Sequence, residues 1–282
     1  MSAQQTFTAD QPGSAFVDIA SRTGTVTVAV DPTLTHAQVT ISTPDDQGPT
    51  ADAVRDATIK EYGGGEHTIA VKVPRINGAN SAVQSVVQVG GSRFEFNAGV
   101  VNTGTITGTV VSGGDVWVGG QRVVSGGRVV AQTGTVVGGG TGQFSVAVRV
   151  PALSSVCLQT NSADLEVRGD LQRLSVASVS GDVEAAGVHS LAVTTTSGDI
   201  EIECIETHAD IVTISGDIEI GAYNGTQLRM ETVSGDIRVS ATPAAPAAGT
   251  FTATTVSGDI ILRGTDHIRP STSTVSGRVR RR

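Results

Sequence analysis

One phrase recurs through the second half of this chain: a β-branched residue, then Ser-Gly-Asp, then Ile or Val. Complete copies stand at Ser180-Gly181-Asp182, Ser197-Gly198-Asp199, Ser215-Gly216-Asp217, Ser234-Gly235-Asp236 and Ser257-Gly258-Asp259. A degenerate copy, Ser162-Ala163-Asp164, precedes them, and Ser276-Gly277-Arg278 follows. Successive starts lie 18, 17, 18, 19, 23 and 19 residues apart. A near-constant period with one glycine corner per copy marks stacked supersecondary units, each burying its apolar face only against the next.

The residues around each corner say what the units are. Ala209, Ile211 and Thr213 precede Ser215, and Ile218 and Ile220 follow it; Leu191, Val193, Thr195, Ile200 and Ile202 repeat the pattern around Ser197. Alternation on both sides predicts β-strands with one buried face. From Ser to the next apolar residue the step is three, so Gly-Asp inserts one extra residue that turns the chain. Gly takes a positive φ there and Asp accepts from local backbone amides. This counting places the Ser hydroxyls in an inward ladder, Ile218 inside and Glu219 outside. It makes Gly216 far less tolerant of a side chain than Gly225. The residue before Ser is often apolar (Val179, Ile214, Val233, Val256, Val275), which suggests that it covers a neighbouring element.

The fold class that follows is all-β: a β-solenoid of short stacked strands, about 18–19 residues per coil, with an N-terminal β-strand and hairpin region. Residues 1–75 form that region. Its strands are expected at Ala15 to Ala20, Thr23 to Val30 and Ala37 to Thr43, with a helical turn at Thr50 to Arg55. A hairpin follows, Ala57 to Tyr62 and Thr68 to Val73, around Gly63-Gly64-Gly65-Glu66. Residues 76–145 are a Gly/Val-rich irregular β insertion, and residues 146–282 are the repeat solenoid, entered through Val146 to Pro151.

The chain has few aromatics, with one Trp, two Tyr and six Phe, so its core must come from small and β-branched residues. Net charge is -8. An acidic body excludes nucleic acid as the main ligand, since phosphate contacts need Lys and Arg. Residues 164 to 236 hold fourteen acids against three bases, while Arg278, Arg280, Arg281 and Arg282 crowd the other end as a solvated, frayed tail. Two cysteines, Cys157 and Cys204, make no disulfide framework. No apolar leader region and no transmembrane run is read. The expectation is a cytoplasmic protein peripheral to the membrane, or a secreted or surface one if a leader precedes this sequence.

The array of Val/Thr-Ser-Gly-Asp-Ile/Val units, led in by Val148-Arg149-Val150-Pro151, resembles the bacterial putative-adhesin β-strand-repeat family, the toastrack family. Ser21-Arg22-Thr23-Gly24-Thr25-Val26-Thr27-Val28 is similar to that family's opening strand-turn-strand. The resemblance implies an all-β stack of short strands, association with bacterial envelope-stress systems, and action through protein contacts. It carries no catalytic residue onto this chain.

Chemistry candidates weigh toward structure. The column Asp164, Asp182, Asp199, Asp217, Asp236 and Asp259 invites calcium, but a coil of this length lacks the glycine-rich nonapeptide of calcium-binding rolls. Turn capping is the better account. His189, His208 and His267 fall at far corners without second ligands at zinc spacing. Cys204 stands among acids, which disfavours its thiolate, and no base recurs beside the repeated Ser. No metal, cofactor or catalytic residue is assigned. The expected function is a non-enzymatic scaffold that meets a protein partner, membrane-associated if the resemblance holds, through Glu184, Glu201 and Glu219. Alternatives are a self-assembling scaffold joined through coil ends, a surface adhesin, or a polysaccharide-binding or polysaccharide-cleaving β-helix.

Overall fold

The structure, a computed structural model, describes residues 2–63, 67–74 and 144–282. Between them it describes the backbone of Val83–Val89, Ser92–Ala98, Val116–Val118, Gln121–Ser125 and Arg128–Val129. These short strands pair antiparallel among themselves, and the expected glycine corners of the insertion lie outside the described residues.

The repeats form a β-solenoid of about seven turns with N-terminal strands. Each coil has two strand arms, one after the Ser-Gly-Asp corner and one before the next. Stacked in parallel, the arms make two sheets. The first sheet runs Ala3–Thr8, Gln38–Thr43, Ser145–Val150, Thr23–Val30, then the leading halves of Ser162–Ala177, Val183–Thr194 and Ile200–Val212. It continues through Ile218–Tyr223, Ile237–Ala241, Ile260–Arg263 and Val279–Arg281. The second sheet runs Thr58–Tyr62, Thr68–Lys72, Phe16–Ala20, Ser155–Gln159 and the trailing halves of the same three long strands. Gln227–Ser234, Thr250–Ser257 and Ser271–Ser276 complete it. Because the three long strands bend from one sheet into the other, hydrogen bonding is continuous through the stack.

The N-terminal strands are woven into this column. Thr23–Val30 lies between Ser145–Val150 and Ser162–Ala177, and Phe16–Ala20 lies between Thr68–Lys72 and Ser155–Gln159. Composition separates residues 1–75 from 146–282, yet both regions fill one core. A strand at Ala3–Thr8 was not legible, since its polar residues hide the alternation. The expected helical turn is a short helix, Pro49–Arg55, started by Gly48 with Pro49 in its first turn. Its Ala51 and Val54 are fully buried.

The register is as the alternation requires. Leu191, Ala209, Ile211, Ile218, Leu228, Met230, Ile237, Ala253 and Ile260 are 0 to 1 % exposed. Two details differ. The Ser residues do not face inward: Ser215, Ser234 and Ser257 are exposed. The chain leaves the strand path at the preceding Thr, so Thr195, Thr213, Thr232 and Thr255 take the last inward place. Thr195 and Thr213 then donate to the carbonyls of Ser197 and Ser215 at 2.9 and 3.4 Å, satisfying the hydroxyl inside the corner. Ser180 and Ser197 do bond along the stack, to carbonyls of the previous coil at 3.3 Å, but from outside.

The second difference is an inward column that the counting missed. Leu171, Val188, Ile205 and Tyr223 stack at the far corner, all 2 % exposed or less. Register shifts between Val188 and Ser190 and between Ile220 and Tyr223 break the alternation there. Nor is the arginine tail frayed. Val279–Arg281 pairs with Ile260–Arg263, and Arg281 donates to the Pro270 carbonyl at 3.2 Å across the end of the stack.

Candidate functional site

The Ser-Gly-Asp corner is an inter-coil device. The Asp199 amide donates to Asp182 Oδ1 at 2.9 Å, and the Asp217 amide to Asp199 Oδ1 at 2.8 Å. Asp236, Asp259 and Arg278 continue the ladder, each amide 2.8 Å from the carboxylate one coil back. Turn capping was expected within each coil; the partner is the next coil's amide. This also explains Arg278. Its amide uses Asp259, while its side chain stands where no further described coil asks for an acceptor. With Oδ1 committed this way, the column is a chain of caps. Among the described residues no group of three or more His, Cys, Asp or Glu could hold a metal ion.

The other candidates fall apart in space. His208 is level with Ser190, so His189 and His208 do not stack in register. His267 Nε2 lies 2.9 Å from the Ala245 carbonyl. Cys204 Sγ lies 3.3 Å from Glu206 Oε1, and burial followed by that carboxylate pushes its thiol up to about 11. An open cleft of about 680 Å³ lies outside the second sheet, between Arg22, Lys72 and Cys157. Its described lining carries no carboxylate or histidine. Burial raises the Cys157 thiol, and the charge of Asp18 adds to that, so this thiol is a poor nucleophile.

The outer face of the first sheet is different. Glu166, Glu184, Glu201 and Glu219 occupy one register column on successive strands. Glu184, Glu201 and Glu219 are exposed. Glu166 is paired with Arg168 at 2.6 Å, but among the described residues Glu184, Glu201 and Glu219 have no ion pair. Glu203 is exposed beside them, one outward position further along the same arm. The column then changes sign. Glu219 is level with Arg238, which reaches Asp217 at 3.0 Å and Asp236 at 2.7 Å. Burial alone would raise the Asp217 carboxyl, but the Asp236 amide and Arg238 outweigh it and hold it below the usual range.

The corner stripe also faces out. Val179, Ile214, Val233, Val256 and Val275 are 45 to 81 % exposed, so these residues cover no neighbouring element among the described residues. Val233, Val256 and Val275 lie in second-sheet strands, so the stripe edges that sheet at the corner, across the turn from the acidic column.

A family model described as Toastrack DUF4097 matches residues 59–280, more than half of the chain. No curated protein matches. Among solved structures the chain is similar to a putative adhesin from Bacteroides fragilis, at 12 % identity and TM-score 0.51, covering 99 % of this chain and 97 % of that one. It also matches a putative cell adhesion protein from Clostridium sporogenes at 7 % identity, covering 100 % and 99 %, with TM-score 0.36. A putative lipid binding protein from Parabacteroides distasonis matches at 14 % identity, covering 98 % and 96 %, with TM-score 0.41. At these identities the first likeness shows the fold alone, and no argument rests on the other two.

Proposed function

The chain belongs to the Toastrack DUF4097 family, and on that premise we propose a non-enzymatic scaffold that binds a basic protein segment on its first sheet. One observation carries this reading: Glu184, Glu201 and Glu219 stand exposed and in register with no close ion pair among the described residues, Arg168 and Arg238 acting on Glu184 and Glu219 only from a distance. Like charges about 4.8 Å apart cost roughly 1 kcal/mol per contact even in water. A fold gains nothing from that arrangement, whereas a lysine- or arginine-rich segment lying along the column would neutralise it. Such a patch steers basic partners and makes binding salt-sensitive.

Guided by the family resemblance, the partner we propose is a membrane-associated protein of an envelope-stress or membrane-signalling system, with this chain peripheral to the membrane. The test is fluorescence anisotropy with a labelled lysine-rich peptide, followed by recovery of the chain on bacterial membranes. Replacing Glu184, Glu201 and Glu219 by Gln should abolish binding in both and leave the melting curve intact. Deleting residues Arg280 to Arg282 should matter little to the peptide. If the tail deletion abolishes membrane recovery while the triple Gln variant binds normally, lipid attraction through the arginines replaces this reading.

A further inference from the structure

The acidic column continues into a basic one, and the two are related by a symmetry that the sequence order conceals. On successive strands of the first sheet the register column reads Glu184, Glu201, Glu219, Arg238, Ile261, Arg280. One outward position further along the arm stand Glu203 before the midpoint and Arg263 after it, both exposed. The sign reverses between Glu219 and Arg238.

A two-fold axis parallel to the strands at that level reverses the order of the coils and leaves each column facing itself. It sets Glu219 against Arg238 of a second copy, Glu184 against Arg280, and Glu203 against Arg263. Each pair occurs twice, as an isologous interface demands. Glu201 then meets Ile261, and the same axis brings Asp199 toward Asp259, a like-charge approach that Arg280, 3.6 Å from Asp259, offsets. We infer that this face pairs with a second copy of the chain, antiparallel along the solenoid axis, with the level between Glu219 and Arg238 at its centre. The inference rests on the reading of the acidic column as a contact face and names the chain's own arginines as its basic partner.

Two further features fit. Arg263 has no ion pair among the described residues, and Arg280 reaches Asp259 only at 3.6 Å, so both guanidinium groups have capacity left. At the centre the pairing brings Asp217 toward Asp236 of the other copy, but Arg238 already bridges these two residues within each chain. A basic peptide and a second copy would compete for the same column, so dimerisation would mask the binding face until a stronger basic partner arrives.

Sedimentation velocity on the full chain decides it. The wild type should be a dimer at ~100 μM in ~0.05 M salt, weakening about tenfold or more by ~0.5 M salt. Two triple variants make the test specific: Glu184→Arg with Glu203→Arg and Glu219→Arg, and Arg238→Glu with Arg263→Glu and Arg280→Glu. Each alone should be monomeric, and an equimolar mixture should recover the dimer. Circular dichroism checks that each variant folds. If either triple variant does not, the Glu184→Gln, Glu203→Gln and Glu219→Gln variant should still lose the dimer. A wild type that stays monomeric in low salt, or a dimer that survives both reversals, overturns the inference. A monomeric wild type that still binds the lysine-rich peptide leaves the acidic-face reading standing. A chain that binds neither ends both.

Discussion

The two corners of each coil are made by different physics. At the Ser-Gly-Asp corner every level repeats the same backbone: Gly216 has φ 142°, and a Cβ there would stand 2.2 Å from the Gly198 carbonyl of the coil before. The Asp carboxylate reaches the amide of the coil after. Each copy therefore constrains the next, and the residues recur. The far corner has no such ladder. Its inward column reads Leu171, Val188, Ile205, Tyr223, Ala241, a series that shares apolar character but neither volume nor shape. Tyr223 beside the small Ala241 is offset by Phe251, whose ring meets it edge-on at 6.1 Å. Length variation collects at this corner too: the coil from Ser234 to Ser257 spans 23 residues, its excess looping out between Thr242 and Gly249. A corner that repeats hydrogen bonds needs identical residues; a corner that only fills space does not.

Substitutions can sharpen or break this contrast. The scale is set between the corners, where Ile218 is fully buried: Ile218→Asp should cost about 4 kcal/mol or more, while Glu219→Lys should change stability by less than about 0.5 kcal/mol. Equal melting shifts for the two would refute the register itself. At the ladder corner, Gly216→Val combines a disfavoured φ with a backbone clash and should cost about 3 kcal/mol or more in urea titrations.

At the far corner the sequence offered Gly225→Ala as a mild change, but a Cβ there would meet the Thr207 carbonyl at 2.3 Å. About 1–2 kcal/mol is expected, still below Gly216→Val because Gly225 does not need a positive φ. A Gly225→Ala cost equal to that of Gly216→Val would mean that the two corners are equally constrained.

Smaller still is the carboxylate itself. Asp199→Ala removes the acceptor of the Asp217 amide and should cost about 1 kcal/mol, whereas Asp199→Asn keeps an acceptor and should recover most of it. Identical melts for the two variants would dissolve the ladder argument.

The smallest effect is the response to acid. The Asp217 carboxyl is held below its unfolded value, so its contribution is whole above the unfolded pKa and lost as pH falls through the folded one. Melting temperature should therefore drop below about pH 4 more steeply in the wild type than in Asp217→Asn.

The sequence by itself determined the stacked architecture, the inside-outside register and the corner, because period and alternation are read residue by residue. Placing Ile218 inside and Glu219 outside needed only a count of two along a strand. The direction of each Ser, the coil that each Asp serves, and the far-corner column were decided by tertiary structure. Each depends on where the chain departs from strand geometry or on which amide lies one coil away. The column Glu184, Glu201, Glu219 was legible from the period, but its reversal at Arg238 was seen only in the register, where residues 17 to 19 positions apart become neighbours because the coils stack them.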